Sequence, residues 1–384
     1  MTNDDRPTTS RYVAARAPGR VVLIGDHTDY TGGLVCAMAI DRWTTVAGTQ
    51  VPGRLRLSSD DESVPLDTPL PLTDAHHVTP AWGRYPAGVA EQMRVTLGVD
   101  ATVRTDIPIG AGLSSSAALE LATALVLGFE GSADELARLC QRAENTATGL
   151  PSGILDQLTS ACGIVDHALV LDCHSLDRIP VRVPDNAEVS VRFIARRQLI
   201  GSPYADRVRE CAEAERIIGP LRSASLADIE QLDDHTVHRR ARHVLTENQR
   251  VRDFAAALAS GDLHGAGQLM REGHESLRSD YDTSTPAMDA AVEQLCATKG
   301  VYGARMTGGG FGGCVVILAE PGTAAREDWV VRPVAGAARL PSGDVVVVGG
   351  LTQWNVDKLA GAGDTGIIGK IDNGTLTLWN RPGV

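Results

Sequence analysis

The stretch that most constrains this chain is Pro108 to Glu120, PIGAGLSSSAALE. Gly110 and Gly112 free the backbone for positive φ and close approach of a ligand. Ser114, Ser115 and Ser116 then stand where a helix begins, and Ala117 to Ala122 propagates it. The first turn of such a helix carries unpaired N–H groups and the positive end of the dipole, which together make an anion site. An ordinary glycine turn with a serine cap uses the same residues. Three consecutive serines entering an alanine-rich helix favour phosphate binding.

A 384-residue chain, 43% of it hydrophobic, predicts two buried cores, one to a domain. A net charge of −12, with no basic stripe, argues against a nucleic-acid partner. The seven cysteines are scattered and include no CxxC, so reduced thiols are expected rather than a disulfide framework or zinc site. The polar, acidic start MTNDDRPTTSR lacks the pattern of a signal peptide, and no apolar run reaches the length of a membrane span. The expectation is a cytoplasmic monomer with no membrane partner.

In chain order, Tyr12–Ala17 and Val21–Ile24 read as short strands, the second followed at once by Asp26, His27 and Asp29 between glycines. Converging polar groups suit a ligand with several hydroxyls, although a solvated turn has the same composition. Further short strands are expected at Cys36–Ile40, Thr44–Gly48 and Arg54–Leu57, then an amphipathic helix from Trp82 to Leu97, with Trp82 and Tyr85 as core packing. Ser132 and Glu135 spell a capping box, and the helix they open carries Glu144. Gly149 and Pro151 end it. Ser152 is expected to cap the next helix, with Asp156 in its first turn, so that Glu144 and Asp156 can meet in one site.

GRVVLIGDHTDYTGG (19–33) and PIGAGLSSSAA (108–118), taken together, resemble the sugar signature and phosphate loop of the GHMP family of small-molecule kinases, in its galactokinase branch. GLPSGILDQ (149–157) is similar to the family's catalytic-aspartate motif, with Ser152 where Cys is usual, and YGARMTGGGFGGC (302–314) to its third motif. The resemblance runs from about Ala15 to Leu340. It implies an α+β fold in two parts, a ribosomal-protein-S5-domain-2-like N-terminal part and a ferredoxin-like C-terminal part. The division expected is 1–178 and 179–340, with residues 341–384 an extension of unknown role.

The same resemblance implies transfer of the γ-phosphoryl of ATP to the anomeric hydroxyl of D-galactose. It assigns Asp156 and Arg20 to catalysis, and Asp26, His27, Asp29, Gly153 and Tyr204 to the sugar. Pro108, Gly110, Ala111, Gly112, Leu113, Ser114, Ser115, Ser116 and Ala117 are assigned to ATP, and Ser116 and Glu144 to Mg²⁺. Two roles stay open for Asp156, taking the proton of the sugar hydroxyl or orienting that hydroxyl. Position 26 departs from the family, which has Glu there. A kinase of a related sugar such as N-acetylgalactosamine, and a sensor that binds without turnover, are the rival readings.

Three further stretches complete the sequence. The GxGxxG at Gly308, Gly310 and Gly313 runs into Cys314–Leu318, an apolar strand rather than a helix, which excludes a dinucleotide fingerprint. His243 and His274 have no partner at ligand spacing and are expected to pack or cap. Only ten residues separate Leu318 from Trp329, where the family has a full helix. A sheet face left bare there would suit cover from the tail, whose strand signals are Val345–Val348 and Thr375–Trp379.

Overall fold

The computed structural model describes residues 11–196 and 203–340, and the backbone of 367–372 and 375–380. The N-terminal part is a mixed sheet with helices against it. Strand β1 (Tyr12–Ile24) is continuous where two short strands were expected. Its bulge between Pro18 and Arg20 lets one strand serve both runs. Likewise β2 (Leu34–Pro52) joins the two expected runs, because it changes partners along its length. Its first residues pair with β6 (His167–Asp172), its centre with β1, and its end with β5 (Leu97–Thr105). Beyond β5 lie β3 (Arg54–Ser59), parallel to it, and β4 (Glu62–Pro69).

Helix α1 (Arg84–Met93) is shorter than expected: Arg94 takes φ +52° and caps it, and Leu97 opens β5 instead. Helices α2 (Ser115–Val126), α3 (Ala133–Thr148) and α4 (Leu155–Cys162) complete this part. The Ser132–Glu135 capping box forms at the start of α3, and Gly149 ends it in the left-handed conformation. Strand β7 (Arg178–Arg182) hydrogen-bonds to β6, so the first sheet extends past the division expected at 178.

The second sheet is antiparallel. Strand β8 (Glu188–Ala195) is followed by helices α5 (Tyr204–Ile218), α6 (Leu226–Ile229), α7 (His235–Ser260), α8 (Leu263–Ser279) and α9 (Pro286–Cys296). Strands β9 (Val301–Thr307), β10 (Gly313–Ala319) and β11 (Trp329–Val331) then give the order β11-β8-β10-β9. No helix lies between β10 and β11. The Glu188 carboxylate accepts the N–H groups of Gly322 and Ala324 instead, and Asp328 pairs with Arg192 at 2.6 Å.

Every residue of β10 is buried, because its two faces serve two cores. Cys314, Val316 and Leu318 join the first core, which continues into α7 and α8, while Val315 and Ile317 join the second. The chain then returns to the first sheet, where β12 (Ala338–Arg339) pairs with β1. Strands β13 (Ile367–Asp372) and β14 (Thr375–Asn380) form an antiparallel hairpin, which places strand where Thr375–Trp379 was expected. Val345–Val348 lies outside the described residues. No helix among the described residues is long and apolar enough to cross a membrane.

Candidate active site

A cleft of about 590 Å³ opens where the end of β1, the loop before α2, the start of α4 and the glycine loop after β9 meet. Gly110, Gly112 and Ser114 take φ of +76°, +83° and +62°, and this alternation turns the loop onto the first turn of α2. The loop is fixed to β1, since the N–H of Arg20 donates to Leu113 O at 3.1 Å and Arg20 Nη1 to Gly112 O at 2.6 Å.

Arg20 also donates through Nε to Asp156 Oδ1 at 2.8 Å and through Nη2 to the same oxygen. Ser114 Oγ donates to Asp156 Oδ2 at 2.5 Å, so the serine expected at phosphate turns its hydroxyl to the carboxylate. Asp156 stands in the first turn of α4 as the sequence requires, but Ile154, not Ser152, is the N-cap. Ser152 instead donates to Asn145 Oδ1 at 2.7 Å and Glu144 Oε2 at 3.2 Å. Ser152 lies two residues ahead of the N-cap, so its oxygen is not placed to accept from the first turn of α4.

Glu144 meets Asp156 across the cleft, as its spacing suggested. Its Oε1 accepts from Ser116 Oγ at 3.1 Å, and its Oε2 also accepts from Gln157 Nε2 at 2.8 Å. Burial and the Asp156 charge push its carboxyl above the usual range, and among the described residues no basic side chain forms an ion pair with it. A hard cation beside Ser116 and Glu144 would supply the missing positive charge, and the oxygen donors suit Mg²⁺.

On the other side of Asp156 stand the residues of the sugar signature. Burial and the Asp156 charge raise the Asp29 carboxyl to about 6. Gly153 is packed so closely that a Cβ there would stand 1.7 Å from Asp29 Oδ2, so only glycine leaves Asp29 in place. His27, at φ +68°, bonds through Nδ1 to the Tyr30 hydroxyl at 3.1 Å, and its ring centre lies 5.8 Å from that of Tyr204. Asp26 lines the cleft but is 1% exposed. Its oxygens accept from Arg305 Nη2 at 2.8 Å and Gly308 N at 2.7 Å.

Sequence reasoning missed the partner of Asp26. Arg305, fully buried in β9, also donates to Glu247 Oε1 on α7 at 2.7 Å, and Glu247 accepts from Gly25 N and Arg250 besides. Burial raises Asp26 to about 7 in spite of Arg305, whereas Arg305 and Arg250 overcome burial and hold Glu247 well below its usual range. The arginine stands at the head of RMTGGGFGG, where the run of glycines is the stronger signal. His243 belongs to the same network. It bonds Ser276 at 2.9 Å and Asp26 O at 3.1 Å, and burial lowers it to about 4. Trp82 and Tyr85 pack against the first core as expected and also line the cleft, and Trp82 Nε1 donates to Val64 O.

This geometry agrees with what the chain is similar to. Residues 6–50 match the galactokinase galactose-binding signature, 84–164 the GHMP kinases N terminal domain, and 254–329 the GHMP kinases C terminal. A galactokinase of Bos taurus is 42% identical over 334 residues, covering 82% of this chain and 85% of the relative. One of Chloroflexus aggregans is 40% identical, covering 84% and 87%. The crystal structure of Lactococcus lactis galactokinase complexed with galactose superposes with a TM-score of 0.79 at 28% identity, covering 86% of this chain and 96% of that one. Methanococcus jannaschii mevalonate kinase, at 18% identity and a TM-score of 0.63, shares the fold. With the signature, both GHMP domains and full-length relatives in agreement, the chain belongs to the galactokinase family of the GHMP kinases.

Proposed function

We propose that this chain transfers the γ-phosphoryl of ATP to the anomeric hydroxyl of D-galactose, giving galactose 1-phosphate and ADP. The observation that carries the reading is the position of Asp156. It is bonded to Arg20 and Ser114, with the Asp29 side of the cleft on one hand and Ser116 and Glu144 on the other. Phosphoryl transfer asks mainly for alignment and charge neutralisation, which such an array supplies.

The N–H groups at the start of α2 cradle the phosphates, and the apolar wall at Trp82 and Tyr85 suits the base. Ser116 and Glu144 would hold Mg²⁺, which would neutralise phosphate charge. Arg20 is 2% exposed and presents its guanidinium where charge gathers on the phosphoryl oxygens. Asp29, His27 and Tyr204 hold the sugar. Asp156 receives the hydroxyl and takes its proton as the P–O bond forms. Both its oxygens already accept hydrogen bonds, so the proton moves late and orientation comes first.

A related sugar is the second reading, and Asp26 favours it: the shorter carboxylate is committed to Arg305 and Gly308. ADP release is measured with galactose, N-acetylgalactosamine and glucose as acceptors. Galactose is expected to give the highest kcat/KM. A clear preference for another acceptor refutes the assignment, and binding without ADP release supports a sensor.

A further inference from the structure

Helix α2 carries a carboxylate that neither phosphate nor sugar chemistry uses. Glu120 follows Ser116 by one turn on an otherwise uncharged helix and is 0% exposed, as is Gln157 on α4. Neither lines the cleft. A buried carboxylate is costly without partners, so its hydrogen bonds show what it is for.

Glu120 Oε2 accepts from Gln157 Nε2 at 3.1 Å, and the same nitrogen donates to Glu144 Oε2 at 2.8 Å. Both protons of the amide are therefore spent on carboxylates, one behind and one at the cleft. Glu120 Oε1 and Gln157 Oε1 are buried without partners among the described residues. The amide thus forgoes a bond at its oxygen to keep both donors in place. Turned the other way, it would have no N–H to offer either carboxyl group.

We infer that Glu120 is a positioning residue, which through Gln157 fixes the Glu144 carboxylate against Ser116 in the geometry that receives a divalent cation. The inference rests on the assignment of Ser116 and Glu144 to that cation. Groups behind a metal ligand typically change metal affinity by about 10–100-fold when removed. Glu120 acts at one remove, so the effect falls on cation affinity and leaves sugar contacts untouched.

The test titrates Mn²⁺ into the full chain with saturating ADP and reads the free-ion signal by electron paramagnetic resonance. Glu120→Met removes the acceptor, and about a 10–100-fold loss of Mn²⁺ affinity is expected, with galactose affinity and metal-free ADP affinity unchanged. Glu120→Gln keeps an acceptor and is expected within about threefold of the parent. Glu120→Asp draws the acceptor back by one methylene; it should show an intermediate loss and stands in if Glu120→Met does not fold.

Unchanged Mn²⁺ affinity in the folded Met or Asp variant overturns the inference, as does an equal loss in Glu120→Gln. Glu144→Gln separates this from the underlying reading. If it loses Mn²⁺ and the Glu120 variants do not, only the positioning role falls. If Glu144→Gln keeps its affinity, the cation site itself is refuted, and the positioning role with it.

Discussion

Replacing Arg305 by Met should destabilise the protein by an amount that depends on pH. Arg305 is 0% exposed and is shared by Asp26 and Glu247. Removing one partner of a buried ion pair costs about 3–5 kcal/mol, because a buried charge is left uncompensated. Glu247 keeps Arg250 at 2.7 Å and the N–H of Gly25 at 2.9 Å, while Asp26 keeps only Gly308 N at 2.7 Å among its described hydrogen-bond donors. The loss is therefore at the low end, about 3 kcal/mol at pH 8, where the parent ionises Asp26 beside Arg305 and the variant must keep it protonated. For a 384-residue chain, with about 2.1 cal/mol/K of unfolding entropy per residue, that is a fall in Tm of roughly 4 °C.

The pH dependence follows from the same groups. The folded-state carboxyl of Asp26 is raised to about 7 from 3.8, so the stability it contributes is fully present below 3.8 and is lost as pH rises through 7. Without Arg305 that carboxyl titrates higher still. Near pH 5 Asp26 is protonated in both proteins and adds little to their difference. Above pH 7 the parent ionises it beside Arg305 and the variant cannot, so the gap widens by about 1.4 kcal/mol per pH unit. Thermal unfolding of both proteins at pH 5, 7 and 8 measures this. A gap below about 1 kcal/mol at pH 8, or one equal at pH 5 and 8, would refute the reasoning.

Other outcomes follow from the cleft. Asp156→Ala should lower turnover by at least about a hundredfold with galactose binding retained, read by ADP release and calorimetry; near-normal turnover removes Asp156 from the chemistry. Gly153→Ala should push Asp29 aside and raise the KM for sugar by about tenfold or more, at an unchanged KM for ATP. An unchanged sugar KM would mean that Asp29 is not held from that side. Ending the chain at Leu340 should leave turnover per folded molecule intact, since the cleft is built from residues up to Gly309; lost turnover in folded protein would give the tail a catalytic part.

Much of this was legible in the sequence because it is local. The capping box at Ser132, the helix opening at Ser115 and the strand after Gly313 depend on neighbours along the chain, and each formed as read. What needs a distant partner was not legible. Arg305 lies 279 positions from Asp26, and no spacing rule links a β9 arginine to the end of β1. Ser152 has the right chemistry for a cap, yet α4 opens two residues too late for it, and its hydroxyl donates to a glutamate and an asparagine on the preceding helix. Trp82 and Tyr85 are legible as core packing, but that the same side chains also line the cleft is decided by tertiary packing.

The return of the chain to its beginning bears on how the protein is made. Ala338 and Arg339 pair with Arg16 and Ala15, and Leu340 N donates to Ala14 O at 2.9 Å. On the ribosome that flank of β1 stays open until β12 emerges, a wait of roughly 15–60 s at about 5–20 residues per second. Through that interval a strand with one free edge is open to pairing with another nascent chain. Expression yield should then respond to translation speed and chaperone supply far more than the stability of the finished protein would suggest.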